Sequence, residues 1–197
     1  MDTKLRIIGL AGTNGSGKDT VGQILADEHG YLFISVTELL RAEALRRNLP
    51  VERENLRMIS AEWRRQSGLG VLVDKAVAEY EKAVASYKGL VMASLRNPGE
   101  ADRVHELGGT VVWVDADPRV RYDRIQANAA VRGREGEDNK TFEQFLADEA
   151  AEMNQSGDEA TLNMSAVKSR CDLTLINDAN NIDSFSVLIK KKLNLSN

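Results

Sequence analysis

The sequence predicts an α/β fold, in which a parallel β-sheet carries helices on both faces. Short apolar runs alternate along the chain with longer stretches typical of helices. In addition, the first apolar run ends in a glycine-rich turn that leads directly into a helical stretch. Because crossovers between parallel strands are almost always right-handed, this alternation predicts a doubly wound sheet.

Five apolar runs predict the strands. Each is only a few residues long and lacks the polar alternation of a half-exposed strand, as expected for strands covered on both faces. The runs are Leu5–Leu10, Tyr31–Ile34, Leu90–Ala93, Thr110–Val114 and Leu173–Ile176.

Helices are predicted between these runs. The first extends from Lys18 to about Glu28 and the last from about Ile182 to Leu193. A long helical tract covers residues 36–87, with interruptions near Pro50 and at 68–70, where the sequence is Gly-Leu-Gly. The pairs Asn97-Pro98 and Asp117-Pro118 each place a capping side chain before a proline, which predicts two further helix starts.

Composition limits the possible partners. The chain has 197 residues and a net charge of −4, so one domain is expected, with neither nucleic acid nor an anionic membrane as a partner. The single cysteine, Cys171, excludes an intrachain disulfide and suits a cytoplasmic location. The first apolar run is too short for a signal peptide or a membrane helix. Monomer and homodimer both remain open.

The glycine-rich turn carries the main functional signal. Residues 12–18, Gly-Thr-Asn-Gly-Ser-Gly-Lys, match G-x-x-x-x-G-K between a strand and a helix. Such a loop turns its amides and the helix N-terminus towards a phosphate chain, and Lys18 adds a charge for the β- and γ-phosphates. The spacing therefore predicts ATP phosphate binding by Gly12, Asn14, Gly15, Ser16, Gly17, Lys18, Asp19 and Thr20. Lys18 is expected to be a surface charge with little packing role.

Four further segments resemble nucleoside monophosphate kinases of the P-loop class. Residues 34–41 resemble the start of the acceptor-binding helices of adenylate kinases, and residues 90–98 resemble their third strand with its following arginine. Residues 114–124, with Arg132 and Arg134, resemble the fourth strand and an arginine-bearing lid. Residues 172–177 are similar to the last strand of dephospho-coenzyme A kinases. The Gly-Lys-Asp-Thr form of the loop is shared with phage deoxynucleoside monophosphate kinases and animal phosphomevalonate kinases.

The resemblance covers nearly the whole chain and is nearest to uncharacterised prokaryotic nucleotide kinases. It implies a P-loop NTPase fold with a five-stranded parallel sheet in the order 2-3-1-4-5. The core would comprise residues 1–35, 88–127 and 141–197, with an acceptor-binding helical insertion at about 36–87 and a lid at about 128–140. It implies catalytic roles for Lys18, Arg96, Arg132 and Arg134, and acceptor binding by Ser35, Arg41 and Arg96.

Two positions depart from the pattern of these relatives. The related kinases carry an aspartate and a glycine at the end of the third strand, where this chain has Ala93 and Ser94. The usual acid that holds magnesium is therefore absent. Because like charges repel at the loop unless a cation intervenes, we predict that Asp19 takes part of that role, directly or through water. Asp115, at the end of the fourth strand, is a possible second donor.

The remaining candidate residues are weaker. Arg57 and Arg64 could reach the acceptor pocket, and Arg121 and Arg124 lie three apart on one predicted helix and are expected to share a face. Trp63 could line the pocket, although packing among helices is the more frequent role. Cys171 is expected to be a buried small apolar residue.

We therefore predict an ATP-dependent kinase that uses Mg²⁺ and phosphorylates a nucleoside or deoxynucleoside monophosphate. One alternative is a kinase for another small molecule, such as dephospho-coenzyme A. A second alternative, from a different class, is a nucleotide-binding switch without phosphoryl transfer, for which the missing acid at Ala93 is the main support.

Overall fold

The sheet has the predicted composition and order. A computed structural model describes residues 6–83, 86–129, 140–154, 157–178 and 181–195. Within them, five strands pair in parallel in the order β2-β3-β1-β4-β5. Their bounds are β1 Ile7–Ala11, β2 Tyr31–Ser35, β3 Gly89–Leu95, β4 Thr110–Asp115 and β5 Leu173–Ile176. The first four strands each extend one or two residues further towards their carboxyl ends than the apolar runs predicted, and Leu5 lies outside the described residues.

Three helices fill the tract between β2 and β3. They are α2 Val36–Arg46, α3 Arg53–Ser67 and α4 Val71–Glu81, so the chain breaks near Pro50 and at Gly68–Gly70 as predicted. The tract ends earlier than predicted, because α4 stops at Glu81 and Tyr87 lies outside any helix.

The other helices flank the remaining strands. They are α1 Lys18–His29, α5 Pro98–Glu106, α6 Pro118–Ala127, α7 Phe142–Met153, α8 Met164–Lys168 and α9 Ile182–Lys192. Asn97 and Asp117 cap α5 and α6 as predicted, since the side chain of Asn97 accepts from Gly99 N and that of Asp117 from Arg119 N. Helices α7 and α8 were not predicted from the sequence.

Two apolar cores form on opposite faces of the sheet, because successive strand residues point to opposite sides. Leu90 and Met92 of β3 belong to the core that α2, α3, α4, α5 and α8 cover. Val91 and Ala93 of the same strand belong to the core beneath α1 and α9. In a sheet of this kind, functional side chains collect at the carboxyl edge of the strands.

Trp63 has the predicted packing role, whereas Cys171, predicted to be buried, is only partly buried. Trp63 packs against the first core, with Lys75 Nζ 4.0 Å from the ring centroid. Cys171 also packs against this core, and burial raises the pKa of its thiol to about 12. A thiol with such a pKa is protonated at neutral pH and is a poor nucleophile.

Candidate active site at the carboxyl edge of the sheet

The phosphate loop connects β1 to α1 and needs its glycines. Gly12, Gly15 and Gly17 all have positive φ, and that of Gly17 is 92°. A Cβ atom on Gly17 would lie 2.3 Å from Nδ2 of Asn177, which donates a hydrogen bond to Ser16 O at 3.0 Å. The buried side-chain amide of Asn177, directly after β5, therefore fixes the loop by a hydrogen bond to its backbone.

The interior of the loop contains polar groups that suit a phosphate chain. The hydroxyls of Thr13 and Ser16 are buried and have no hydrogen-bond partner among the described residues. Buried hydroxyls without partners are uncommon, so a bound phosphate oxygen would satisfy them. Lys18 Nζ donates to Thr13 O at 3.2 Å, and its side chain is 7% exposed. The expectation of a surface charge was wrong, because the loop wraps around the lysine that it positions.

A cleft of about 1180 Å³ begins at this loop and extends under α2 and α3. Seven cationic and four acidic side chains line it, although the whole chain carries a net charge of −4. The predicted residues that line it are Asn14, Gly15, Gly17, Lys18, Asp19, Thr20, Ser35, Arg41 and Arg96. The structure thus brings the predicted donor and acceptor residues to one cleft, while Gly12 and Ser16 lie in the loop without lining it.

Arg41 lies on α2 at the wall of this cleft. Its Nε is 3.4 Å from Glu38 Oε1, and this buried nitrogen makes no hydrogen bond within the described residues. Because α2 begins directly after β2, this arginine is fixed near the carboxyl edge of the sheet. A guanidinium with hydrogen-bonding capacity left can bind a ligand oxygen.

Arg96 belongs to a group of three arginines around one carboxylate. Arg53, Arg57 and Arg96 contact Glu152 of α7 at 3.1, 3.0 and 3.0 Å, and all three line the cleft. Burial by itself would raise the pKa of Glu152, but the three guanidinium groups outweigh it and hold this pKa below its ordinary value. These contacts place three guanidinium groups around one carboxylate at this end of the cleft.

Arg64 has a structural role instead of the acceptor role considered from the sequence. Its side chain is 4% exposed, and its Nη2 is 2.7 Å from Oε1 of the fully buried Glu100. Oε2 of Glu100 accepts from the backbone amides of Arg96 and Asn97. Glu100 therefore fixes the turn that carries Arg96. The charges of Arg64 and Glu100 neutralise each other within the protein.

The arginines after β4 separate in space. Arg121 is buried, pairs with Glu149 of α7 and donates to Ala116 O, whereas Arg124 lines the cleft. Residues three apart on a helix are about 60° apart around its axis, so the two arginines can share a face, but their side chains have different surroundings here. Arg132 and Arg134, with most of the predicted lid, lie outside the described residues.

The oxygen donors available to magnesium are few. Asp19 is exposed in the first turn of α1, and it lines the cleft together with Thr20. Magnesium prefers oxygen ligands and usually keeps several waters, so this pair of oxygen donors fits it. Asp115 does not fit the predicted second-donor role, because its carboxylate accepts from Trp113 Nε1 and the amide of Ala116 and is outside the cleft lining. Across the described parts of the chain, no cluster of three His, Cys, Asp or Glu residues could hold a metal.

The end of β3 has an unusual backbone. Leu10 of β1 pairs with Ala93, but the next residue, Ala11, pairs with Leu95, so Ser94 forms a bulge. Ser94 has φ 76° and lines the cleft. A left-handed conformation costs a residue with a Cβ atom roughly 1–2 kcal/mol. The kinases that residues 90–98 resemble carry a glycine here, and Ser94 adopts the conformation that favours glycine.

Several residues of the site were not predicted. Asn177 could have been found, because ligand-binding residues collect at the carboxyl ends of parallel strands and Asn177 directly follows β5. Arg53 and Glu152 carried no local signal, since their contact spans 99 positions in the sequence.

The strand order and the loop after β1 give this protein the fold of P-loop kinases. The protein-family model described as an AAA domain matches residues 8–145, and the chain belongs to that family. Among the helices that the structure describes, none has the length and apolar character needed to cross a membrane.

The chain is similar to several individual proteins. The chain is 29% identical over 191 residues to a UPF0200 protein from Pyrobaculum aerophilum, a match that covers 96% of this chain and 97% of that protein. It is 32% identical over 124 residues to the shikimate kinase of Gloeobacter violaceus, covering 62% and 63%. The crystal structure of a shikimate kinase from Bacteroides thetaiotaomicron superposes with a TM-score of 0.61 over 97% of this chain and 99% of that one. With 13% identity, the last similarity is one of fold.

Proposed function

We propose that this protein is an ATP-dependent kinase that transfers the γ-phosphate to a nucleoside or deoxynucleoside monophosphate. The observation that carries the proposal is the single cleft shared by the phosphate loop and by arginines of α2, α3 and the turn after β3. An acidic chain that concentrates cations in one cleft suits two anionic substrates bound side by side. The volume of about 1180 Å³ exceeds the upper end of the ordinary range for small-ligand sites, about 1,000 Å³.

The donor end would hold ATP. The loop amides and Lys18 surround the β- and γ-phosphates, as in other P-loop NTPases. Asp19 and Thr20 would hold Mg²⁺, whose charge neutralises the phosphate oxygens during transfer. The unpartnered hydroxyls of Thr13 and Ser16 supply two further groups for the phosphate chain.

The acceptor end would hold the monophosphate. Arg41 and Arg96 would bind its oxygens, with Arg53 and Arg57 adding positive potential nearby. An acceptor phosphate oxygen attacks the γ-phosphorus, the bond between this phosphorus and the β–γ bridging oxygen breaks, and ADP leaves. No protein base is needed because the nucleophile is already ionised, so catalysis rests on positioning and charge neutralisation.

A coupled ADP-release assay tests the proposal. The acceptors would be the common ribo- and deoxyribonucleoside monophosphates, dephospho-coenzyme A and shikimate, with a blank lacking acceptor. We expect acceptor-dependent ADP release with at least one nucleoside monophosphate, accompanied by the diphosphate product. ADP release that never depends on an acceptor would support the nucleotide-binding switch instead.

Two arginine variants test the acceptor end separately. Arg41→Ala and Arg96→Ala should raise the acceptor KM far more than the ATP KM. A lost charge-assisted contact costs on the order of 1.5–3 kcal/mol, equivalent to about 10- to 150-fold. Arg46→Ala is the matched control, since Arg46 lies on α2, pairs with Glu43 and is absent from the cleft lining. If the two cleft variants raise only the KM for ATP, the assignment of these arginines to the acceptor is wrong.

A second candidate is a kinase for an anionic alcohol. The similarity to the Gloeobacter shikimate kinase favours it, as does the carboxylate of Glu38 at the cleft wall. An alcohol must lose a proton during transfer, so a carboxylate near the nucleophile could act as the general base. A phosphate acceptor does not require such a base. Turnover of shikimate without turnover of any monophosphate would favour this candidate.

A further inference from the structure

The bulge at the end of β3 contains a side chain that the fold does not require. Of the described residues other than glycine, three have positive φ, namely Asn48, Ser94 and Asn194. Asparagine tolerates this conformation, and both asparagines follow helices at exposed positions. Ser94 differs from them because it lies in a central strand and is 6% exposed.

The position of Ser94 connects the two ends of the cleft. It stands beside Leu10 and Ala11, the last residues before the phosphate loop, because the shift in register falls between them. Two residues further along the chain is Arg96, which the proposed function assigns to the acceptor. A group at Ser94 therefore stands between the donor loop and the acceptor arginine.

The hydroxyl of Ser94 is available to a ligand. It makes no hydrogen bond to any residue that the structure describes, whereas the buried polar groups on the same turn are engaged. Glycine would adopt the same backbone without strain. Packing and backbone geometry therefore give no reason for a serine here, and strained residues of this kind cluster at ligand-binding sites.

We propose that Ser94 binds the acceptor, with its Oγ donating a hydrogen bond to an oxygen of the acceptor next to the phosphoryl group being transferred. The proposal rests on the proposed function, because it takes the arginine end of the cleft as the acceptor site. It adds a determinant of acceptor binding that neither the loop motif nor the arginines supply. The strained backbone holds this hydroxyl at the junction of the two substrates.

Two variants separate the hydroxyl from the strain. Ser94→Ala removes the hydroxyl and keeps a Cβ atom at positive φ, whereas Ser94→Gly removes both. We expect each variant to bind the acceptor about tenfold more weakly, as for loss of one hydrogen bond to an ionised group. The ATP KM should be unchanged. The glycine variant should unfold about 2–4 °C above the alanine variant, because it lacks the strain.

The measurement combines turnover with direct binding. Calorimetric titration with adenosine and deoxyadenosine 5′-monophosphates, and with the nucleotide turned over best by the parent protein, gives acceptor Kd values. Asn48→Gly is the matched control, because it removes a side chain at positive φ away from the cleft lining. It should leave both KM values and the acceptor Kd as in the parent.

The outcomes distinguish this proposal from the proposed function. If both Ser94 variants bind and phosphorylate the acceptor as the parent does, the proposal for Ser94 fails and the kinase assignment stands. If the variants bind monophosphate more weakly but the parent shows no transfer, Ser94 is an acceptor ligand and the proposed reaction is wrong. If the parent binds no monophosphate, both proposals are overturned.

Discussion

At the scale of single residues, the sequence predicted the donor end of the cleft better than the acceptor end. The loop motif is local, so glycine conformation, helix start and lysine position all follow from seven consecutive residues. The burial of Lys18, which was not expected, has the same local cause. A loop that wraps around a phosphate also covers the side chain of its own lysine. Glu152 depends on tertiary structure, and no local pattern marks it, whereas Asn177 could have been assigned to this edge because it directly follows β5.

Lys18→Met tests the donor end while keeping most of the buried volume. We expect turnover to fall by at least about a hundredfold, since the charge on the β- and γ-phosphates is lost, as for removal of one preorganised electrostatic contact. The thermal midpoint of unfolding without ligand should change by only a few degrees, while the rise in this midpoint on adding ATP should largely disappear. Turnover within about twofold of the parent would remove the phosphate-loop assignment.

Asp19→Asn tests the magnesium hypothesis. The variant should need several-fold more magnesium for half-maximal activity, because a neutral amide is a weaker ligand than a carboxylate. Binding of metal-free ATP, measured calorimetrically with a chelator present, should be unchanged or tighter, since a negative charge near the triphosphate is removed. Asp27→Asn, an exposed position at the other end of α1, is the control. An unchanged magnesium requirement would leave Asp19 with a helix-turn role alone.

At the scale of elements, α7 is the main feature that the sequence did not predict. Its apolar side is narrow and depends on Phe142 and Phe145 packing against Tyr122 of α6. Its carboxylates Glu149 and Glu152 contact arginines 28, 56, 95 and 99 positions away in the sequence. Charge pairs at such separations follow only from the packed fold, whereas the caps of α5 and α6 could be predicted because they involve neighbouring residues.

The contacts of Glu152 predict a pH dependence of stability. Its pKa lies below the ordinary glutamate value in the folded protein, so its contribution is complete above about pH 4.5 and is lost as the pH falls through the folded pKa. Glu152→Gln should lower the free energy of unfolding at pH 7 by about 1–3 kcal/mol. This difference from the parent should shrink as the pH falls below about 4.5, because the parent carboxylate then also becomes neutral.

Urea unfolding from pH 7 to pH 3 measures this difference. Glu106→Gln is the control, because Glu106 is exposed and pairs with Arg103 at the surface, where a single ion pair contributes about 0–1 kcal/mol. If the free energies of unfolding of the parent and of Glu152→Gln differ by the same amount at every pH, the charge of Glu152 does not contribute to stability through the three arginines.

At the scale of the whole molecule, the fold class followed from alternating strands and helices, but the strand order did not. Apolar runs predict that strands exist and are buried, and nothing in them specifies which strand lies beside which. The order entered through resemblance to nucleotide kinases, and the pairing of β1 with both β3 and β4 confirms it. The bulge at Ser94 was not predicted, because the apolar run predicted β3 only as far as Ala93, although relatives carry a glycine at position 94.

The charge distribution predicts how salt affects the binding of the proposed substrates. The chain is acidic overall, yet cationic side chains outnumber acidic ones in the cleft. If local charge governs binding, raising potassium chloride from 50 to 500 mM should raise both KM values several-fold, because screening weakens attraction to the arginines. If net charge governed binding, the same change would lower them. Steady-state kinetics with a sucrose control of equal osmolarity decides the sign.

The hydrogen bond from Asn177 to the phosphate loop has a consequence for the order in which the protein is completed during synthesis. The loop is made early, but the amide that holds it is separated from Ser16 by 161 positions. Strand β5, which precedes Asn177, pairs only with β4 among the described strands, so it joins the sheet at an edge. A nascent chain that ends before this strand has the glycines and the lysine in place but lacks the residue that fixes them. Nucleotide binding should therefore mature late in translation, when the last strand has left the ribosome and docked.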